Sequence, residues 1–281
     1  MRAPALGQKN LYWLLVLPAL FMMLAFYTYP LTQVLWISVT EPTRGFSNYM
    51  LLFTNPAVQR ILVATARICA VTSLLTLLAG YLIAYAMVHV TETHRQWMLF
   101  CVLLTFWLSV LVRAFAWVMI LRPDGPLNTA LLAVGVVDRP LALVRNEVGV
   151  VIGMVHYMLP YAVLPLYANM QGIDRRLVTA ARGLGASPFT AFWRVFLPLN
   201  RPGIVAAGLL VFVFSLGFYI TPAILGGGRT TMIAEYIGIQ IQATLRWGLA
   251  TMLASSLLLT VFLMIALMSR FVSLKKLFGA A

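Results

Sequence analysis

Charged side chains are scarce in this chain of 281 residues. They make up 10% of the sequence, whereas about a quarter of an ordinary soluble domain is charged. Hydrophobic residues make up 62%. A soluble protein of this length exposes more surface than so few charges can cover. The composition therefore excludes an ordinary soluble domain and indicates a membrane protein.

Acids are the rarest charged residues, with seven Asp and Glu against twenty Lys and Arg. All seven fall outside the long apolar runs. A secondary transporter usually carries ion-coupling acids inside its spans, so this absence counts against that class. The formal charge of +13 does not indicate a nucleic-acid-binding protein, because the basic residues lie at the ends of apolar runs rather than on one soluble face.

Residues that build catalytic or metal sites are also few. The two cysteines, Cys69 and Cys101, lie inside apolar runs, which counts against a disulfide framework or a zinc site. The glycines at 226–228 are followed by Arg and Thr, without the lysine or the preceding strand that a phosphate-binding loop needs. We predict that the chain is not an enzyme and binds no cofactor of its own.

Six apolar runs are long enough to cross a bilayer, which takes roughly 20 helical residues. We predict an all-α membrane protein with six transmembrane helices, forming one transmembrane domain over residues 1–281. The first run is expected to be an uncleaved span, because no small-x-small cleavage site follows it. The predicted spans are Leu11–Tyr29, Ile61–Val88, Trp97–Leu121, Val148–Gln171, Gly203–Leu225 and Trp247–Ser269.

The orientation follows from the basic residues outside these runs. Eleven Lys and Arg lie on the side that holds both termini and the loop 172–202, against seven on the other side. Lys and Arg are enriched in cytoplasmic loops. We therefore predict that both termini and the loop 172–202 are cytoplasmic.

The loop 172–202 is the longest polar interruption. Five arginines lie between Arg175 and Pro202, and no acid accompanies them. Ser187 followed by Pro188 is typical of a helix start, because serine caps the first turn and proline suits its first position. The aromatic residues at 189, 192, 193 and 196 have the spacing of a single helical face. This pattern predicts a folded docking element.

Three ionisable residues lie inside the predicted spans, where function is the default hypothesis. Arg67 lies near one end of the second span and is expected either to reach the outer interface or to line the pathway. His156 either lines the pathway or forms a hydrogen bond between helices. The candidate translocation residues are Arg113, His156, Tyr219 and Arg67.

The segment 179–198 resembles the cytoplasmic signature loop of permease subunits of bacterial ATP-binding-cassette importers. That signature reads Glu-Ala-Ala, three residues, Gly, nine residues, Ile-x-Leu-Pro, and the spacing is kept here throughout. Thr179 replaces the acid, which in relatives contacts the ATPase, and Val195 replaces Ile. The predicted coupling residues are Thr179, Ala180, Ala181, Gly185, Ser187, Pro188, Phe189, Phe192, Trp193, Leu197 and Pro198.

The resemblance extends to the first permease of spermidine/putrescine-type importers. It is carried by Tyr29-Pro30-Leu31, by the residues 111–117 (LVRAFAW) and by the residues 221–228 (TPAILGGG). It implies a type I importer fold in the bacterial inner membrane. The implied partners are a second, similar permease, two ATPase subunits that bind ATP and Mg²⁺, and an extracytoplasmic substrate-binding protein. The alternatives are an exporter permease and a secondary transporter without an outer binding protein.

The resemblance implies a small polar solute, such as a polyamine, an opine or a phosphonate. The chain itself offers no acid inside its spans, and Arg113 lies there instead. A fixed guanidinium suits a carboxylate or phosphonate and repels a free cation. We therefore expect a cargo with an anionic group, such as an amino-acid-like compound. In one alternative hypothesis, Arg113 pairs with Glu147 or Glu235 and only holds helices together. In another, the partner permease supplies the acids that a polyamine would need.

Overall fold

The computed structural model describes the backbone of residues 6–271 and the side chains of residues 12–267. The ends of the chain that were predicted to be cytoplasmic extend outside these residues. No strand occurs within residues 6–271. The all-α prediction is confirmed.

Fifteen α-helices follow one another in the described part, and two short π-helical turns are inserted among them. The helices are α1 (Leu6–Met23), α2 (Tyr29–Thr40), α3 (Ser47–Thr54), α4 (Pro56–His89), α5 (Glu92–Trp107), α6 (Val110–Leu121), α7 (Pro126–Ala133), α8 (Glu147–Gln171), α9 (Arg175–Gly183), α10 (Pro188–Ala191), α11 (Leu197–Leu199), α12 (Arg201–Leu216), α13 (Ile220–Leu225), α14 (Ile233–Gln242) and α15 (Trp247–Phe271). The π turns are Leu24–Thr28 and Phe192–Phe196.

Side-chain caps fix where three of these helices begin. Asn146 precedes α8 and its side chain accepts a hydrogen bond from the Gly149 N–H at 3.0 Å. Asp174 caps α9 in the same way, and Ser187 caps α10 as the sequence predicted. Each cap satisfies an N–H group that has no partner within its own helix.

Four helical segments are long and apolar enough to cross a membrane, and two bent helix pairs raise the number to as many as six. The four are Tyr12–Thr40, Pro56–His89, Glu147–Gln171 and Trp247–Leu267. They correspond to the first, second, fourth and sixth predicted spans. The first extends eleven residues beyond its predicted end at Tyr29, because the π turn at Leu24–Thr28 leads directly into α2.

The third predicted span is not a single helix. Leu108 has extended backbone and Ser109 is also non-helical, and the helices on either side of them meet at 102°. Neither glycine nor proline marks this break, so the sequence gives no local signal for it. As a result, Arg113 lies in the first turn of α6 rather than in the middle of a straight span.

The fifth predicted span also ends early. Helix α12 stops at Leu216, three residues outside any helix follow, and α13 begins at Ile220. Pro222 then lies in the first turn of α13, where a missing N–H is tolerated. At its other end, α12 continues from the helices Pro188–Leu199 through a bend of 61°.

The chain divides into two compact units. One holds residues up to Pro56 together with Ile237–Leu259, and the other holds Ala57–Tyr236 and the residues from Thr260 onward. In the first unit, the buried Asn48 amide donates hydrogen bonds to the carbonyls of Ser38 and Glu41. In the second, α8 packs against α5, α6, α12 and α13. The single-domain assignment stays a prediction.

Close packing around α8 depends on glycine. A Cβ atom on Gly153 would lie 2.5 Å from Leu225 Cδ1 and 2.7 Å from Thr221 Cγ2, so only glycine lets α13 approach this closely. Gly203 at the start of α12 is equally restricted by Asn169 of α8. Small residues of this kind let membrane helices approach each other closely. They fix the positions of α12 and α13 against α8.

Candidate functional site

The loop 172–202 folds into a compact helical hairpin. Between α9 and α10, Gly185 has a φ of +89°, a conformation that costs little only for glycine. The Gly185 N–H donates to the Arg182 carbonyl at 3.0 Å, and the Ala186 N–H donates to the Ala181 carbonyl at 3.1 Å. These bonds close the end of α9 in the manner of a glycine C-cap.

Aromatic rings attach this hairpin to the end of α4. Phe192 and Phe196 each contact the Tyr85 ring edge to face, with centroids 5.5 Å apart in both pairs. Phe192 also meets Tyr81 at 6.2 Å. Edge-to-face pairs of this kind contribute about 0.5–1.5 kcal/mol beyond their buried area. The hairpin is therefore fixed against a membrane helix.

The opposite side of the hairpin faces outward. Phe189 is 72% exposed and Trp193 is 52% exposed, and their ring centroids lie 5.9 Å apart. The single aromatic face predicted for positions 189–196 is thus divided in two. The π turn Phe192–Phe196 runs through this stretch, so its rings do not follow the regular α-helical spacing that the prediction assumed.

The five arginines of the hairpin are exposed. The Thr179 hydroxyl donates back to the Arg175 carbonyl at 3.2 Å. The Arg175 guanidinium donates to the Val88 carbonyl at the end of α4. A cavity of about 320 Å³ lies beside these residues and includes His89 and Arg182 in its lining. No acid lines it.

A second group of residues, which we term the Arg113 cluster, comprises Arg113, Trp117, His156, Tyr157, Tyr161 and Phe218. The Arg113 guanidinium carbon lies 4.4 Å from the centre of the Tyr157 ring, within cation–π range. Its Nε atom is buried and has no hydrogen-bond partner. Helices α6 and α8, which pack against each other, supply both side chains.

His156 of the cluster forms the hydrogen bond between helices that the sequence allowed for. The Trp117 Nε1–H of α6 donates to His156 Nδ1 of α8 at 3.1 Å. This bond holds α6 against α8 one turn beyond Arg113. It also leaves Nδ1 as the acceptor, and so it fixes which ring nitrogen faces α6.

The cluster contains aromatic residues that sequence reasoning missed. The Tyr157 ring meets Phe218 at 4.5 Å and stacks with Tyr161 at 6.0 Å. Tyr161 in turn contacts Phe214 at 4.9 Å and Phe106 at 5.2 Å. Tyr157 and Tyr161 lie four residues apart on one helix, and this spacing was the one feature of the sequence that could have predicted their contact. Their partners come from α5, α12 and the residues after α12, which no local pattern connects.

Two of the four candidate pathway residues lie outside this cluster. Arg67 forms an ion pair with Glu147 at the start of α8, where the two side chains are 63% and 32% exposed. Tyr219 is half-exposed, and it forms no ring contact in the described part of the chain, whereas its neighbour Phe218 contacts Tyr157.

The alternative hypothesis of a structural acid partner for Arg113 stays a prediction. Glu147 is engaged by Arg67. Glu235 is buried, and burial raises the pKa of its carboxyl group, while the Met232 backbone supplies a hydrogen bond. No ion pair joins Arg113 to an acid within the described side chains.

The described residues contain no group of three His, Cys, Asp or Glu side chains that could hold a metal ion. Cys69 is buried and Cys101 is exposed, and both are free thiols. What the structure presents is an apolar helical bundle that carries an exposed basic and aromatic hairpin at one end and a half-buried guanidinium among its helices. This combination defines a membrane transport subunit.

Comparison with known proteins places this transport subunit in a family. Residues 9–275 match the family described as "Binding-protein-dependent transport system inner membrane component". The chain belongs to this family. It is a multi-pass inner-membrane permease of an ATP-binding-cassette importer, a transport subunit rather than an enzyme.

Curated relatives support the same branch. The chain is 32% identical over 240 residues to the spermidine/putrescine transport system permease protein PotB of Haemophilus influenzae, covering 85% of this chain and 79% of that protein. It is 31% identical to the PotB protein of Escherichia coli, covering 78% and 80%. The resemblance to the spermidine/putrescine-type branch is confirmed.

A solved structure supports the fold. The chain resembles a subunit of a bacterial ABC transporter involved in the import of the acidic polysaccharide alginate, with a TM-score of 0.75. The sequences are 20% identical, and the match covers 95% of this chain and 97% of that one. The type I importer permease fold predicted from the signature loop is confirmed.

Proposed function

We propose that this permease couples to a separate ATPase through the hairpin formed by residues 172–202. The exposed pair Phe189 and Trp193, on a hairpin that also carries five exposed arginines, carries this proposal. Exposed aromatic and arginine side chains are enriched at protein interfaces. On a cytoplasmic hairpin they present a surface suited to another protein.

The inner side of the hairpin supports a mechanical role. Phe192 and Phe196 fix it to Tyr85 of α4, and α12 continues from it through one bend. A movement imposed on the outer face by ATP binding would therefore reach both α4 and α12. A flexible loop would absorb the same movement instead. The helices then alternate between inward-open and outward-open arrangements, as transporters do.

The complete transporter in this proposal contains four membrane-associated subunits. This chain pairs with a second, similar permease, and two ATPase subunits bind ATP and Mg²⁺ on the cytoplasmic side. An extracytoplasmic binding protein delivers the solute. Both termini are cytoplasmic, because that orientation places eleven of the Lys and Arg residues inside.

The proposed cargo is a small polar solute. Relatives from two organisms are named for spermidine and putrescine, which supports a polyamine-type system. An amino-acid-like, opine or phosphonate solute is the alternative within the same branch, and Arg113 is the residue that favours it.

Gly185→Val tests the coupling role. Space around Gly185 is open, so the added side chain meets no neighbour, but its positive φ is strained for a β-branched residue by roughly 1–3 kcal/mol. We expect the variant to reach the membrane and to lose most of its transport. ATP hydrolysis should no longer respond to the binding protein. The measurement is solute uptake and ATPase activity of the complex in proteoliposomes.

Gly183→Ala is the matched control. Gly183 closes α9 two residues earlier, its surroundings are equally open, and its φ is not positive. Alanine should therefore be tolerated within about 0.5 kcal/mol. Wild-type transport by Gly185→Val would show that the hairpin does not need this turn, and the coupling proposal would fail.

A further inference from the structure

We infer that Asn200, together with Tyr81 and Asn169, forms a buried polar hinge through which the hairpin of residues 172–202 moves α12. Asn200 is a positioning residue in this account. Its side-chain amide gains or loses hydrogen bonds when the transporter changes between its two arrangements. The inference deepens the proposed function and rests on it, because it assumes that ATP binding moves the hairpin. It does not depend on the identity of the solute.

Asn200 lies at the point where the hairpin becomes a membrane helix. The helical segments on either side of it, Pro188–Leu199 and Arg201–Leu216, meet at 61°. Its N–H group donates to the Phe196 carbonyl at 3.1 Å, and its own carbonyl accepts from the Ile204 N–H at 3.0 Å. The backbone of Asn200 therefore joins both segments, and a change in the bend angle would turn about this residue.

The side chain of Asn200 differs from those of the other buried asparagines. Asn48 donates hydrogen bonds to two carbonyls. Asn128 is 0% exposed, and its amide bonds to the Arg122 carbonyl and to both backbone groups of Leu141. Asn200 is also 0% exposed, but neither its oxygen nor its nitrogen has a hydrogen-bond partner within the described part of the chain.

A buried polar group without a partner is costly, and nearly all such groups in folded proteins are paired. Burial of Asn200 is complete within this chain, so no atom of another subunit can reach its side chain in this arrangement. The missing partners must therefore come from this chain, after a movement that brings them into range.

Two such partners lie beside Asn200. Its side chain adjoins the Tyr81 hydroxyl of α4, although no hydrogen bond of normal geometry joins them. On α8, the Asn169 amide carbon lies 2.8 Å from the point that a Cβ atom on Gly203 would occupy, and Asn200 Oδ1 lies 2.9 Å from the same point. Tyr81 Oη and Asn169 Oδ1 are buried without partners as well.

The chemistry of these three side chains is complementary. The Tyr81 hydroxyl can donate to the Asn200 amide oxygen, and the Asn200 amide nitrogen can donate to Asn169 Oδ1. Gly203 keeps open the space between the two amides, because any Cβ atom there would collide with both of them. A small rotation at the bend would therefore satisfy several buried groups at once.

The hairpin contacts this cluster directly. The Tyr81 ring meets Phe192 of the hairpin edge to face, with centroids 6.2 Å apart. Phe192 and Asn200 both belong to the hairpin, whereas Tyr81 and Asn169 belong to membrane helices. A movement of the hairpin would shift the first two residues relative to the second two. The hydrogen bonds of Asn200 would then follow the position of the hairpin, and α12 would follow Asn200.

The test measures hydrogen–deuterium exchange in the complete complex in lipid nanodiscs. The complex is compared without nucleotide and with ATP and vanadate, which hold the ATPase subunits closed. Exchange is read at residues 189–194 on the hairpin and at residues 203–208 at the start of α12. In the wild-type complex we expect ATP and vanadate to change the exchange rates of both segments by about fivefold or more, a usual size for coupling between sites.

Asn200→Leu replaces the amide by an apolar side chain of similar size. It should leave the amount of assembled complex unchanged, because the side chain forms no hydrogen bond in this arrangement. The response at 189–194 should persist, and the response at 203–208 should fall below about twofold. Tyr81→Phe removes a single oxygen atom and keeps the ring contact with Phe192, so it should weaken the response at 203–208 without affecting assembly.

Asn128→Leu is the matched control, because it changes an equally buried asparagine that is fully hydrogen-bonded. It should lower the amount of assembled complex, and the complex that remains should respond to ATP and vanadate like the wild type. The contrast separates a structural asparagine from a hinge asparagine.

A wild-type response at 203–208 in Asn200→Leu or in Tyr81→Phe would overturn the inference. A loss of assembled complex in Asn200→Leu as large as in Asn128→Leu would assign Asn200 a structural role and overturn it as well. The same holds for a wild-type complex that responds at 189–194 but not at 203–208. A wild-type complex that responds at neither segment would instead overturn the proposed function, because the hairpin would then not follow the ATPase.

Discussion

The coupling hairpin and the Arg113 cluster both bring arginine beside aromatic rings, but they do so in opposite surroundings. On the hairpin, five arginines are exposed and two rings face outward. In the cluster, one arginine is half-buried and its neighbouring rings contact one another. The two regions have similar residue types and differ in how deeply those residues are buried.

The comparison shows how burial changes what an arginine requires of its surroundings. An exposed arginine is hydrated and needs no partner, so the hairpin's charge indicates a protein-facing surface without naming a ligand. An arginine among packed helices needs compensation. Within the described side chains Arg113 forms no ion pair with an acid, and the contact with the Tyr157 ring supplies part of that compensation.

The largest effect is expected for Phe196→Ala. Phe196 is 7% exposed and contacts Tyr85, and removing a buried phenylalanine lowers the free energy of unfolding by about 3–5 kcal/mol. Phe189→Ala removes the same ring from the exposed side, and its effect on unfolding should stay within about 0.5 kcal/mol. Thermal unfolding of the two purified variants in detergent measures the difference. Equal losses would mean that the hairpin does not have distinct inner and outer faces.

A smaller effect is expected for the ion pair of Arg67 with Glu147. Both side chains are partly exposed, so the coupling free energy from a double-mutant cycle should be about 0.2–1 kcal/mol. The cycle uses Arg67→Gln, Glu147→Gln and the double variant, with unfolding as the measurement. A coupling above about 2 kcal/mol would show that this pair is buried. The contrast between Arg67 and Arg113, which forms no ion pair within the described side chains, would then need revision.

The sequence predicted the elements that depend on local chemistry. Helix content, four of the spans and the Ser187 cap all follow from composition and capping residues. The break at Leu108–Ser109 and the end of α12 at Leu216 did not follow. No helix-breaking residue stands at the first of these sites, whereas Gly217 stands directly after the second.

Only those parts of the candidate sites that have a local sequence signal were predicted. Arg113 was recognised because an ionisable residue in an apolar run is conspicuous. Its aromatic neighbours were not, because Phe106 lies in α5, Tyr161 in α8 and Phe218 after α12, and only the fold brings them together. The division of the hairpin's aromatic face was likewise hidden, since a π turn and an α-helix cannot be told apart by the spacing of four rings.

The most direct test of the account is the composition of the complex purified through a tag on this chain. Native mass measurement should find this chain with one different but similar permease and two ATPase subunits. The double substitution Phe189→Ala and Trp193→Ala should remove the ATPase subunits and leave the two permeases together, because both rings lie on the exposed face. Two copies of this chain without a second permease would contradict the proposed pairing. ATPase subunits retained at the wild-type level in the double variant would contradict the central claim that this hairpin couples the permease to its ATPase.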